Sequence, residues 1–278
     1  MTASTNTQNH ASVESEDLAP RSSFFARQES TILGTISVVS FLFFWEYAVH
    51  AKWVNAIFTS SPLRIIAAGT NMVKEGTIWQ DMATSGLEFG LGFGLATIIG
   101  VPMGILMGWY RRLNAVFEPF VNALYATPRI ALLPLIVIWF GIDLGSKVAI
   151  VFLSTVFPIL VNTMVGIRTV DRDFVKVARS FGASDRQLFL TVALPSSVPF
   201  LLTGLRLGLG HALIGIVVGE MYGATSGIGY MMSIAGATFQ TDRVMVGIII
   251  IAASGMIMTQ MLKMIEMRFE KWRVDSRG

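Results

Sequence analysis

The residue best placed to do chemistry is Arg129, a permanent positive charge inside a long apolar stretch and flanked by Pro128 and Pro134. Near the middle of a membrane span such a charge costs about 2.5–3.5 kcal/mol even on a lenient insertion scale, so it needs a purpose. The two prolines lack amide donors, which weakens a helix and leaves backbone carbonyls free towards a cavity. Two uses satisfy the charge: lining a pathway that favours anions, or a buried ion pair with Glu46, Glu88 or Glu220. The sequence leaves both open. Glu46 and Glu88 fall near the ends of apolar stretches and read as snorkelling or paired residues, and Glu220, by position, as an interfacial glutamate reaching water. Asn162 and Thr163 can hydrogen-bond a solute, although bonds between helices are the commoner use of such residues.

Other chemistry finds no support in the residue pattern. No G-x-x-x-x-G-K-[ST] phosphate loop occurs, so ATP hydrolysis by that route is not expected of this chain and the energy must come from elsewhere. His10, His50 and His211 are far apart, cysteine is absent and H-E-x-x-H does not occur, so no metal site is expected. The Ser226-Gly227 and Ser254-Gly255 pairs lack the flanking glycine of a nucleophile elbow, and no base is paired with them locally.

The elements that must position these residues are membrane helices. Of 278 residues, 53% are hydrophobic and 14% charged, and the mean hydropathy is +0.62. A water-soluble domain of this length would carry a more polar surface. Apolar stretches predict spans near 31–50, 83–108, 116–140, 147–167, 196–221 and 243–265, about six at the usual length of roughly 20 residues. Residues 1–30 are polar and without apolar periodicity, which predicts a disordered tail; 31–267 then form the membrane domain and 268–278 a second tail. Ser61-Pro62 predicts the start of a short amphipathic helix over 62–75 at the outer surface. Glycines recur every fourth residue at 86, 90 and 94, at 100, 104 and 108, and at 215, 219 and 223, a spacing that lets helix backbones approach closely.

Basic residues set the orientation. Arg21, Arg27, Arg111, Arg112, Arg168, Arg172, Lys176, Arg179, Arg186 and the residues from Lys263 onward fall on one side, against Lys52, Arg64, Lys74, Lys147 and Arg243 on the other. The positive-inside rule then puts both termini and the 168–195 loop in the cytoplasm of a multi-pass inner-membrane protein, and it reads these charges as orientation signals rather than as a nucleic-acid surface. Within that loop Phe174, Val177, Ala178 and Phe181 form an apolar stripe on a helix that ends where Gly182 can take positive φ. Ser184 and Gln187 form a capping box for a second helix, which Pro195 is expected to close.

This loop resembles the EAA loop of ABC importer permeases, the cytoplasmic element that docks into a partner ATPase, with its glycine at Gly182 and its closing Leu194-Pro195. Lys176 and Val177 stand where that family usually carries Glu and Ala, while Ala178 keeps the second alanine; the departure bears on the charge contact and not on the helical hinge. RIALLPLIVIWFG at 129–141, FPILVNT at 157–163, LTGLRLGLG at 202–210 and VVGEMYGATSGIGY at 217–230 resemble, in order, the nitrate/sulfonate/taurine-type branch, over roughly residues 31–273. The resemblance implies an all-α fold with a type I importer core. It also implies a homodimer forming one pathway for a small organic or inorganic anion, ATPase subunits that bind the ATP, and a periplasmic or extracellular solute-binding protein. Glu220, ahead of the G-x-G-Y turn, falls near the external gate in such permeases. A proton-coupled secondary transporter using Glu46, Glu88 or Glu220 as a relay is the competing reading.

Overall fold

A computed structural model describes residues 24–269, and among these the chain is helical with no strand. The helices are α1 (Phe24–His50), α2 (Ala56–Thr59), α3 (Pro62–Glu75), α4 (Thr77–Trp109), α5 (Arg111–Ala126), α6 (Leu133–Phe140) and α7 (Leu144–Arg168). They continue with α8 (Arg172–Ser180), α9 (Asp185–Leu188), α10 (Leu194–Gly223), α11 (Ile228–Ala237) and α12 (Thr241–Phe269). Helix α1 starts ahead of the expected boundary at residue 31. The rest of the expected N-terminal tail, and the C-terminal tail beyond Phe269, lie outside the described residues.

Among the described residues, five helices are long and apolar enough to cross a membrane: α1 from Thr31, α4, α7, the continuous helix from Asp185 to Gly223, and α12. The stretch 116–140 departs from expectation. It is not one straight span but α5 and, after a 3-10 turn over Arg129–Leu132, α6, with a bend of 91° between them. Thr127 adopts extended backbone immediately before Pro128, the conformation that a following proline ring imposes. Counted as one broken span, the pair brings the total to six, matching the expected number.

Helix α7 is the centre of the fold, packed between α4 and α10 and the most buried of the spans. Glycine makes this closeness possible. On α4, Gly100, Gly104 and Gly108 lie against Val156, Leu160 and Ile167 of α7; on α10, Gly215 and Gly219 lie against Ser154 and Ile150. Gly223 faces Val137 of α6 instead. The stripe at 86, 90 and 94 differs: a Cβ at any of these would meet no atom of another described helix within 4 Å.

Helix α3 covers the residues expected of it and buries Ile65 and Met72 against Ile78 and Val246. Ser61 stands at the N-cap position ahead of Pro62, as expected, but its hydroxyl does not cap the helix and donates instead to Glu46 Oε1 at 3.1 Å, while Glu46 Oε2 accepts the free Leu63 N–H at 3.0 Å. Glu46 is therefore a remote helix cap, not a snorkelling residue. Arg64 donates to Asp242 at 2.9 Å and ties α3 to the start of α12, and Arg206 of α10 pairs with Glu266 of α12.

Candidate functional site

The loop between α7 and α10 is built by local caps. Asp171 accepts the Asp173 N–H at 2.8 Å and starts α8. Its end is a Schellman motif: Gly182 has φ +76° and donates to the Arg179 carbonyl at 2.9 Å, and the Ala183 N–H reaches the Ala178 carbonyl at 3.1 Å. The expected capping box closes next, with Ser184 N–H to Gln187 Oε1 at 2.9 Å and Gln187 N–H to Ser184 Oγ at 3.4 Å. Leu188 is buried and Phe189 meets Trp109 edge-on at 5.0 Å, which anchors the second helix to the end of α4.

Helix α8 has no such anchor. Phe174, Val177 and Phe181 are all exposed, Phe181 to 87%, and Ala178 is half-buried beside them. An apolar stripe that the other described residues leave uncovered, outside the long apolar spans, marks an interaction surface. Lys176, the departure from the family pattern, pairs with Asp173 at 2.8 Å on its own helix. The second helix does not stop at Pro195. It passes through a π turn over Phe189–Ala193, in which Leu194 N–H reaches the Phe189 carbonyl five residues back, and Pro195 follows directly; the widened turn is the irregularity beside which a helix that continues can carry a proline.

Arg129 lies on the 3-10 turn at the bend, not inside a straight helix. Its Nη2 donates to the Tyr125 carbonyl at 3.3 Å, one of the unsatisfied acceptors at the end of α5, and its guanidinium carbon stands 5.3 Å from the Tyr125 ring centre. None of the ion pairs among the described residues includes it, and its Nε is buried without a partner. Of the three glutamates proposed as partners, Glu46 caps α3 and Glu220 is held elsewhere. A cavity of about 200 Å³ opens beside Arg129, bordered by Ser154 of α7 and His211 of α10.

Glu220 is 1% exposed, so it does not reach water at an interface. Its Oε1 accepts the Ser85 hydroxyl at 2.5 Å and its Oε2 the Gly229 N–H at 2.5 Å. Ser85 Oγ in turn accepts the Ile228 N–H at 2.9 Å, and Asp81 Oδ1 the Gly227 N–H at 2.9 Å. Side chains from α4 and α10 thus supply the caps for the start of α11, which its own Gly227 cannot. Gly227 has φ +112°, and a Cβ there would stand 2.5 Å from the Glu220 carboxyl carbon, so both conformation and space demand glycine. Glu88 is also buried, not snorkelling, with Oε2 unpartnered, and the buried Lys147 lies within electrostatic reach of both glutamates.

The remaining expected site residues are placed apart from the Arg129 cavity. Asn162 turns its amide back to the Pro158 carbonyl at 2.8 Å, and Thr163 is fully buried against Gly104, its hydroxyl without a partner. Asp81, Ser85 and Ser154 had no signal in the sequence, and Lys147 stood out only as a basic residue of the outer side, because their roles depend on contacts between distant helices. His211 stood out only as a lone histidine, with nothing to tie it to Arg129.

Fold and site together define the membrane subunit of a transporter. The chain belongs to the family of binding-protein-dependent transport system inner membrane components, which matches residues 100–271. It is 31% identical to the taurine transport system permease protein TauC of Escherichia coli (strain K12), over 89% of this chain and 91% of that one. Identity to the putative aliphatic sulfonates transport permease protein SsuC of Bacillus subtilis (strain 168) is 34%, over 84% and 85% of the two chains. A chain in the crystal structure of an amino acid ABC transporter with histidines shares the fold, with TM-score 0.54 and 21% identity over 73% of this chain and 97% of that chain. This protein is accordingly the permease subunit of an ABC importer, and the proton-coupled alternative falls away.

Proposed function

We propose that this permease forms, as a homodimer, the pathway for a small anion such as a sulfonate or nitrate, received from a periplasmic or extracellular solute-binding protein. ATP is bound by separate ATPase subunits, which dock on α8. The exposed Phe174, Val177 and Phe181 face on a hinged helix pair carries this reading, since it is an apolar surface that the other described residues leave uncovered. Closure of the ATPases moves α8 and α9, and the anchor of Phe189 on Trp109 passes that motion to α4. The substrate class is supported by relatives named for taurine and aliphatic sulfonates and by the unpaired Arg129 charge at the bend. Glu220 holds α11 in place near the external gate. Residues 31–267 form the membrane domain, the 168–195 loop is its coupling element, and both termini lie in the cytoplasm.

The orientation and the docking surface are tested together. Ser184→Cys in intact cells should resist thiol reagents that cannot cross the membrane, whereas Thr70→Cys, exposed on α3, should react. Phe174→Ala with Phe181→Ala should leave permease abundance unchanged and abolish co-purification of the ATPase, because buried aromatic anchors commonly contribute 2 kcal/mol or more, roughly thirtyfold, to an interface. Labelling of Ser184→Cys from outside, or full ATPase retention by the double variant, would overturn the reading.

A further inference from the structure

We propose that the cavity where the α5–α6 bend meets α7 and α10 is an anion site, in which Arg129, His211 and Ser154 hold the oxyanion head of a small alkylsulfonate. The proposal rests on the reading of this chain as a small-anion permease and gives it a place and a set of donors. Three observations carry it. First, the cavity measures about 200 Å³, more than the roughly 150 Å³ in which an engineered protein cavity holds benzene, so a molecule of several heavy atoms fits. Second, its polar groups are uncommitted. Arg129 Nε is buried without a partner, and neither His211 nor Ser154 makes a hydrogen bond to the described residues. Third, the rest of the wall is apolar, with Ile130, Ile150 and Ile214 around the donors.

The chemistry matches one ligand class. A guanidinium presents its donors as a planar fork suited to oxyanions, and the bond from Nη2 to the Tyr125 carbonyl fixes the direction of that fork while Nε stays available. Away from bulk water such charge-assisted bonds strengthen, and the isoleucine walls favour an alkyl tail over a fully hydrated dianion such as sulfate. A single fixed cation also leaves the anion free to depart, as a conducting site requires. Ser154 and His211 lie well inside α7 and α10, away from the helix ends, so the cavity sits within the depth of the two spans.

The test uses the assembled transporter in permeabilised membranes, where solute reaches both faces. Ile214→Cys puts one thiol in the cavity wall of a chain that has no cysteine, and its alkylation by a small uncharged reagent reports occupancy. Saturating methanesulfonate should slow alkylation about tenfold, its neutral analogue dimethyl sulfone hardly at all, and sulfate less than methanesulfonate at equal concentration. Adding Arg129→Gln should raise the methanesulfonate concentration for half-protection about tenfold or more. Arg129→Lys, which keeps the charge without the fork, should fall between, and it decides the matter should the glutamine variant not assemble. Ile130→Cys repeats the measurement from the bend side of the cavity, where no proposed donor is removed. Equal protection by the sulfone, equal protection by sulfate, protection that survives loss of Arg129, or thiols that never react would each overturn the proposal. Uptake driven by ATP and the binding protein, measured in the same membranes, tests the importer reading separately.

Discussion

The packed centre of α4, α7 and α10 and the projecting helix α8 carry similar apolar stripes, yet they use them in opposite ways. In the centre, small residues draw the backbones together until the stripes are buried inside the chain. On α8 the stripe of Phe174, Val177 and Phe181 stays exposed, and the helix is held by the Asp171 side-chain cap and a Schellman turn, after which the capping box starts α9. A helix of nine residues is too short to be stable alone, since isolated helices need about 12–15, so these caps and its partner must supply what packing does not. Damage to the centre should therefore be read as lost protein, and damage to α8 as intact protein that no longer couples.

The largest effect should come from the centre. A Cβ at Gly104 would stand 2.6 Å from the Leu160 carbonyl oxygen and 2.8 Å from Thr163 Cβ, both on α7, whereas one at Gly90 would meet nothing within 4 Å. Forced overpacking costs about 1–3 kcal/mol, more when backbone must move. Gly104→Val should remove most of the permease that survives detergent extraction as a monodisperse species, and Gly90→Val should leave the yield unchanged. Equal yields from the two would mean that the glycine stripes do not differ as the contacts say.

Gly182→Val should come next, and it sharpens the contrast because the fold is spared. A Cβ there meets no atom within 4 Å, so the strain is conformational only: φ is +76°, and a β-branched residue resists that region. The substitution should leave yield and thermal stability of the membrane domain within error while splaying α8 from α9. Loaded binding protein should then no longer stimulate ATP hydrolysis, and uptake should be lost. Full stimulation by this variant would remove the loop from the coupling route.

What the sequence made legible follows the same division. The turn at Gly182, the capping box at Ser184 and the extent of α3 were readable because every group involved lies within a few residues of its partner. The packing of Gly104 was readable as a spacing, but the same spacing at Gly90 meets no neighbour among the described residues, since pattern does not say which face has one. The bend at Pro128 was hidden: hydropathy is blind to direction, and Pro102, Pro119, Pro158 and Pro199 all sit inside helices that continue. Glu220 misled for a related reason. Its place near the end of α10 suggested water, while the ligands that bury it, Ser85 and Gly229, come from α4 and α11. The meeting of Arg129, Ser154 and His211 depends on three separate segments and has no trace in spacing.

The smallest effect is expected at Lys176, the residue that departs from the family pattern. Its side chain is 75% exposed and its pair with Asp173 spans one turn of α8, a type of contact that contributes about 0–1 kcal/mol. Lys176→Glu turns that attraction into a repulsion of similar size, a few tenths of a kcal/mol on the helix. If the apolar stripe carries docking, the charge at this position adds only a rim interaction, so affinity of purified ATPase for the permease should change by less than about fivefold, or 1 kcal/mol. The remaining change should shrink further in high salt, because exposed charges are screened beyond about 10 Å at 0.1 M. Titrating ATPase onto wild-type and Lys176→Glu permease at two ionic strengths checks both points. A loss of tenfold or more at low salt, restored at high salt, would show that charge and not Phe174, Val177 and Phe181 governs the contact, and the contrast between a packed centre and an apolar docking helix would have to be redrawn around electrostatics.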